Sequence, residues 1–270
     1  MPIIEAIVLG IVQALTEFLP VSSSGHLHLT RWVLGWDDLS SDAEQAFDVA
    51  VHLGTLVGAM AYLWSDVKRY VGALLKSLKT LPKSREITTD ARIGWALFLS
   101  TLPAGFIGGL FGSDINGWSN TWIIAVALIV FGVLLWLSDR CEESNSAKDF
   151  SFTTALLMGA AQALALQPGV SRSGVTLTMA RLLKFRAEPA LRLVFLMSLP
   201  IIAAAGIYGL IGLNIPSGLW PALAWGVASS AIVGWFSVWL TTKLVAQVGF
   251  KPFVIYRITL GATVLGALAL

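Results

Sequence analysis

The residues able to do chemistry in this chain gather in two short segments, 13-QALTEFLPVSSSGH-26 and 167-QPGVSRSG-174, set in otherwise apolar surroundings. The first holds Gln13, Glu17, Ser22, Ser23, Ser24, Gly25 and His26. The second holds Ser171, Arg172, Ser173 and Gly174, with Thr176 just beyond. Ser22, Ser24, Ser171 and Ser173 suit helix N-caps. If a new helix starts at each segment, its unpaired N–H groups and positive dipole end point back at the break. Two such ends facing one another, with the Arg172 guanidinium, make an anion site suited to phosphate. Arginine here, in preference to lysine, fits bidentate phosphate recognition.

Glu17, Ser23 and His26 add the parts of a phosphoryl-transfer set. Ser23 or a water would attack, and His26, three residues on along a helical turn, would act as base and then acid. Arg172 and the helix ends would stabilise charge on the transferring phosphoryl oxygens. Glu17 would hold a divalent cation, Mg2+ or Ca2+, or orient the nucleophile. Gln13, one turn earlier on the same face, would hydrogen-bond a water or a phosphate without adding charge. Plainer readings exist for each: Ser23 as a cap, Glu17 as a carboxylate paired with Arg172, His26 as a satisfied polar residue. Outside the two segments, Asp48 and His52 share one helical face and could line the same cavity. Arg257 lies inside an apolar stretch and calls for an acidic partner or a phosphate. His28 and Arg31 are expected at the outer surface.

The elements that hold these residues are read from the rest of the chain. Of its 270 residues 56% are hydrophobic and only 13% charged, with mean hydropathy +0.76. A soluble domain carries roughly a quarter charged residues, so this chain has too few charges to solvate a globular surface. No basic stripe is interleaved with aromatics, which argues against nucleic acid. The single Cys141 excludes an intramolecular disulfide and a cysteine metal cluster. The first twenty residues lack a basic start and lead into a polar motif where a cleavage site would stand, so they are expected to remain in the mature fold.

Apolar blocks at 44–64, 93–112, 120–138, 191–212, 219–240 and 252–270 predict about six membrane spans. The stretches 3–34 and 153–183 differ, because Pro and a Ser/Gly cluster interrupt each near its middle. Their halves, 3–18 with 24–34 and 154–166 with 172–183, are short for a crossing, which predicts two re-entrant helical hairpins. That topology puts Asp37, Asp38, Asp42 and Asp114 with the N-terminus. Lys68, Arg69, Lys76, Lys79, Lys83, Arg85, Arg92, Arg140, Lys148, Lys184, Arg186, Arg192, Lys243 and Lys251 fall on the other side. Such a bias places the basic side in the cytoplasm and the N-terminus and site outside. Trp36, Trp64, Trp118, Trp122, Trp136, Trp220 and Trp239 fall near span ends, as an aromatic belt would. FLSTLP (98–103) and FLMSLP (195–200) predict helix kinks at Pro103 and Pro200.

Slid by 149 residues, the chain matches itself over 10–25 and 159–174 without a gap. Gly10 meets Gly159, Gln13-Ala14-Leu15 meets Gln162-Ala163-Leu164, and Ser24-Gly25 meets Ser173-Gly174. An odd number of crossings per unit makes the second copy inverted. The expected fold is therefore one all-α polytopic membrane domain, 1–270, with repeat one at 1–140 and repeat two at 150–270. The copies differ at the chemistry: Arg172 stands opposite Ser23, Leu166 opposite Glu17 and Val175 opposite His26. One half is acidic and nucleophile-bearing, the other cationic.

At these residues the chain resembles the bacterial undecaprenyl-pyrophosphate phosphatase family, the bacitracin-resistance type. The resemblance rests on 13-QALTEFLPVSSSGH-26 and 168-PGVSRSGVT-176, with support from 47-FDVAVHLGTL-56 and 253-FVIYR-257, and covers essentially the whole chain. It implies an enzyme of the bacterial plasma membrane that hydrolyses the terminal phosphate of a C55 polyprenyl pyrophosphate, recycling the lipid carrier for cell-wall synthesis. It further implies divalent-cation dependence, an outward-facing site and homodimers, and it assigns chemistry to Ser23, Glu17, His26 and Arg172. Many members carry a second glutamate where this chain has Gln13. Transport or flipping of the lipid phosphate stands as the alternative, since an inverted repeat with broken helices is also how transporters build a site.

Overall fold

The computed structural model describes residues 1–36, 39–80, 87–116, 120–211 and 215–270, with backbone alone at 80 and 112–116. Asp37, Asp38, Lys83, Arg85 and Trp118 lie outside the described residues, as does the side chain of Asp114. The described chain is helical throughout, apart from turns and one isolated bridge between Asn145 and Phe185.

Two helix–break–helix units open the two halves. In the first, α1 (Ile3–Phe18) gives way to α2 (Ser23–Leu34). Leu19, which precedes Pro20, is extended at φ −67 and ψ 139. The ring of a following proline excludes the α region, so the helix stops there. Between them come α3 (Ser41–Tyr62), α4 (Trp64–Thr80), α5 (Thr89–Leu99), α6 (Leu102–Asn116) and α7 (Thr121–Ser138). In the second unit, α8 (Phe152–Ala163) runs through a 3-10 turn, Leu164–Leu166, and breaks before α9 (Arg172–Leu182). The physics is the same, for Gln167 precedes Pro168 and is extended. Then follow α10 (Ala187–Gly209), α11 (Trp220–Val248) and α12 (Lys251–Leu268).

Five helical segments are long and apolar enough to cross a membrane: Thr89–Phe111, Thr121–Ser138, Ala187–Gly209, Ser217–Val248 and Lys251–Leu268. A sixth is obtained if α3 and α4, bent by 85°, count as one. This is a multi-pass membrane protein. Trp64, Trp122, Trp136 and Trp220 are exposed close to span ends. Pro103 opens α6 after a break at Ser100 and Thr101, whereas Pro200 sits within the continuous α10.

In lipid, helices gain little from burying apolar faces and associate by close packing instead. The repeat-matched Gly10 and Gly159 mark two such approaches. A Cβ on Gly10 of α1 would fall 2.7 Å from the Gly226 carbonyl oxygen of α11. A Cβ on Gly159 of α8 would fall 2.2 Å from the Ser100 carbonyl oxygen, in the break between α5 and α6. Each broken unit thus lies against a span contributed by the other half of the chain.

Both second half-helices are moored at their far ends by a buried arginine. Arg31 of α2 donates to Glu44 at 2.9 Å and pairs with Asp48, both on α3. Arg181 of α9 donates to Asp139 at 3.1 Å and Glu143 at 2.7 Å, and to the Phe185 carbonyl at 2.7 Å. The outer-surface expectation for Arg31 is therefore corrected: it is 4% exposed, because two carboxylates of α3 neutralise it in place. His28 is likewise half-buried, its Nε2 3.0 Å from the Thr121 hydroxyl of α7.

Candidate functional site

The two breaks meet. Ser22 and Ser171 are N-caps of α2 and α9, at φ 76 and φ 72. Positive φ costs a non-glycine residue of order 1–3 kcal/mol and persists only where surroundings impose it. Each hydroxyl accepts from the backbone N–H three residues on, Gly25 at 3.4 Å and Gly174 at 3.1 Å. Ser24 and Ser173 lie instead in the first turns, so only one serine of each expected pair is a cap.

Hydrogen bonds stitch one tip to the other. The Ser22 hydroxyl also accepts from the Gly169 N–H at 3.2 Å, and the Ser173 hydroxyl donates to the Leu19 carbonyl at 3.0 Å. Ser171 and Ser173 are 3.3 Å apart through their hydroxyls. Arg257 of α12, wholly buried, closes the junction. It donates to the Pro20 carbonyl at 3.2 Å, Gly169 at 3.0 Å, Val170 at 2.8 Å and Leu128 at 3.2 Å. The expected carboxylate or phosphate partner is corrected: three backbone carbonyls left over at the helix breaks, Pro20, Gly169 and Val170, and that of Leu128 within α7 take its place. Gly174 is small for this reason, since a Cβ there would lie 2.5 Å from Arg257 Nη1.

Glu17, in the last turn of α1, is the centre of the polar contacts, with its side chain 3% exposed. Oε2 accepts from Ser23 Oγ at 2.5 Å and from Gln13 Nε2 at 2.9 Å, with His52 Nε2 at 3.6 Å. Arg172 Nη1 lies 3.4 Å from Oε1. The break folds α2 back so that the nucleophile candidate reaches a carboxylate six residues earlier.

His26 does not pair with Ser23. Its Nδ1 lies 2.7 Å from the Ser22 carbonyl, which can only accept, so that nitrogen is the donor. Its Nε2 lies 2.7 Å from the Tyr256 hydroxyl of α12, and the two rings stack at 5.6 Å. The i,i+3 spacing puts Ser23 and His26 on one face, but the histidine turns back along its own helix. Thr176 is also spent locally, its hydroxyl donating to the Arg172 carbonyl at 2.7 Å. Asp48 serves Arg31 through its carboxylate, while its carbonyl accepts from His52 Nδ1 at 2.7 Å. His52, a secondary candidate in the sequence, thus belongs to the centre. Tyr256 carries no such signal in the sequence, where the charge of Arg257 is the marked feature of 253-FVIYR-257.

Among the described residues no group of three His, Cys, Asp or Glu side chains is placed to hold a metal ion. The hard donors at the centre are the Glu17 carboxylate and Gln13 Oε1, which is buried without a protein partner.

A helical multi-pass membrane protein with a polar centre built where two broken helices meet is the class that this fold and site define. Within that class the chain belongs to the bacitracin resistance protein BacA family, whose family model matches residues 6–263. It is 44% identical over 274 residues to undecaprenyl-diphosphatase 2 of Stutzerimonas stutzeri, covering 98% of each chain. It is 41% identical over 267 residues to an undecaprenyl-diphosphatase of Hahella chejuensis and 39% over 265 residues to undecaprenyl-diphosphatase 1 of Pseudoalteromonas translucida, covering 97% of each chain in both cases.

Proposed function

We propose that this chain is a polyprenyl-diphosphate phosphatase that hydrolyses undecaprenyl diphosphate to undecaprenyl phosphate and inorganic phosphate. The carrier lipid of cell-wall synthesis is thereby recycled. The observation that carries the reading is the 2.5 Å hydrogen bond from Ser23 Oγ to Glu17 Oε2, with Arg172 on the other carboxylate oxygen and two helix N-termini beside it.

In this mechanism Arg172 and the first-turn N–H groups of α2 and α9 bind the terminal phosphate and take up its developing charge. Glu17 accepts the Ser23 proton as Oγ attacks the terminal phosphorus. The bridging P–O bond breaks, and its electron pair leaves with the lipid monophosphate. A water then attacks the phosphoserine, the P–Oγ bond breaks as Glu17 returns the proton to Oγ, and the phosphate leaves with the water's oxygen and its protons. His26, committed through its Nδ1–H to the Ser22 carbonyl, accepts at Nε2 from the Tyr256 hydroxyl. The base role expected of His26 thus passes to Glu17, and His26 orders the tip between the Ser22 carbonyl and Tyr256.

The donors fit a divalent cation arriving with the substrate: one carboxylate and an unpartnered amide oxygen, completed by phosphate oxygens, is the kind of set Mg2+ takes. Glu17 and Gln13 would hold it, and it would neutralise pyrophosphate charge. The one-sided distribution of Lys and Arg supports a bacterial plasma membrane location with the N-terminus and site outward. The identical capping of Ser22 and Ser171, and the exchange of α1 and α8 between halves, support two inverted repeats, 1–140 and 150–270, with re-entrant hairpins. A homodimer is part of the same reading. The transporter alternative gains nothing from a serine held on a carboxylate.

The test is phosphate release from a C15 or C55 diphosphate by purified protein in detergent, in EDTA and after adding Mg2+ or Ca2+. Ser23→Ala, Glu17→Ala and Arg172→Ala are each expected to lower the rate by roughly 10²-fold or more. No release by the unaltered protein under any cation would refute the enzyme.

A further inference from the structure

Beside the centre lies a cavity of about 530 Å³ between α6, α8 and α10, lined by Gly105, Gly108, Gln162, Leu166, Arg172 and Ala205, among others. Gln162 is 3% exposed, and neither its amide oxygen nor its nitrogen has a protein partner. Buried polar atoms are nearly always hydrogen-bonded, so an amide orphaned at both ends in a cavity wall awaits a ligand or ordered water. Arg172 Nη1 is also without a hydrogen bond, although it lies 3.4 Å from Glu17 Oε1. The guanidinium therefore spans the reaction centre and the cavity.

The repeat sharpens what the cavity takes. Gln162 occupies in the second segment the place of Gln13 in the first. Gln13 is spent on Glu17, whereas Gln162 has Leu166 at the corresponding place and keeps its amide free. A free amide and a cation at one end, with Leu166, glycines and alanines along the wall, describe a receptor for an amphiphile with an anionic head. The volume is that of a small-molecule site, roughly 300–1,000 Å³, enough for a head and the start of a chain. An added Cβ on Gly105 meets nothing within 4 Å, so this part of the wall is open.

We infer that this cavity seats the phosphate that stays with the lipid and the first isoprene units attached to it, with Gln162 Nε2 donating to that phosphate. The inference rests on the diphosphatase reading and extends it: the centre at Glu17 handles the departing phosphate, and Gln162 the retained one.

The experiment measures inhibition of farnesyl diphosphate hydrolysis by farnesyl phosphate and by inorganic phosphate. In Gln162→Leu the inhibition constant for farnesyl phosphate should rise about tenfold or more, as for loss of one hydrogen bond to a charged group. That for inorganic phosphate should stay within about twofold. The thermal midpoint should not fall, because leucine removes two buried unpartnered atoms at similar volume. Gly105→Leu, which fills the cavity from its open side, should weaken farnesyl phosphate in the same way and serves if the first variant does not fold. Unchanged farnesyl phosphate inhibition in a folded variant would overturn the inference and leave a water-filled cavity. Failure of the unaltered protein to release phosphate would overturn the diphosphatase reading instead. The cavity is then tested by whether farnesyl phosphate raises the thermal midpoint of the unaltered protein and not of Gly105→Leu.

Discussion

Gln13→Glu places a second carboxylate where an amide now donates to Glu17 Oε2 at 2.9 Å. Two unit charges about 4 Å apart repel by about 4 kcal/mol at an effective dielectric of ~20. The lost hydrogen bond to a charged acceptor adds ~1.5–3 kcal/mol. Arg172 and His52, both on Glu17 already, offset part of this. A divalent cation between two carboxylates would reverse the sign, since the same negative charge then becomes its ligand set. Unfolding of the purified variant in detergent, followed by tryptophan fluorescence, should therefore depend on cation much more than that of the unaltered protein. At about 2–4 °C per kcal/mol for a chain of 150–250 residues, the midpoint in EDTA should fall by about 10 °C or more. Millimolar Mg2+ or Ca2+ should recover most of it. Equal midpoints for the two proteins in EDTA, with no response to cation, would refute the placement of Gln13 on Glu17 and the reading of Gln13 Oε1 as a cation donor.

Arg257→Met strips four carbonyls of their donor and should cost about 3–5 kcal/mol, as breaking a buried charged network does; denaturation in detergent measures it, and activity should vanish with the junction. Gly174→Ala, whose Cβ would sit 2.5 Å from Arg257 Nη1, should lower both the thermal midpoint and phosphate release, while Gly72→Ala, where nothing lies within 4 Å, changes neither. Tyr256→Phe keeps the ring stack on His26 but removes its Nε2 partner. The turnover number should fall about tenfold with the midpoint unchanged, on the scale of a modest acid–base contribution.

Much of the fold was legible because the signals are local. The residue before Pro20 and the one before Pro168 are forced out of the helix, and the Ser/Gly clusters after them start new ones, so the half-helix ends fell within one or two residues of 3–18, 24–34, 154–166 and 172–183. Five of the six apolar blocks likewise fell on one helix each, and 93–112 fell on α5 and α6 with the break at Ser100 and Thr101 between them. What sequence spacing does not carry is direction across a break. Ser23 and His26 share one face of α2, yet nothing local says that Ser23 reaches back across the break to Glu17 or that His26 turns to Ser22 and Tyr256. The partners of Arg257 were illegible for another reason: they are backbone carbonyls, which no residue type marks. Arg31 was misplaced because a charge near a helix end ordinarily points to water, and its two carboxylates come from the next helix.

The Arg257 junction also has a direction in time. Pro20 precedes the arginine that binds its carbonyl by 237 residues, and the partners at Gly169, Val170 and Leu128 all precede it too. At a synthesis rate of roughly 5–20 residues per second, the first tip waits on the order of 10–50 s before its donor is made. An unpaired carbonyl in hydrocarbon costs several kcal/mol, so the tip has to spend that interval hydrated or shielded by the insertion machinery. The junction is thus closed by a helix that contributes no group to the phosphate, made after both the nucleophile and the cation are already in the chain.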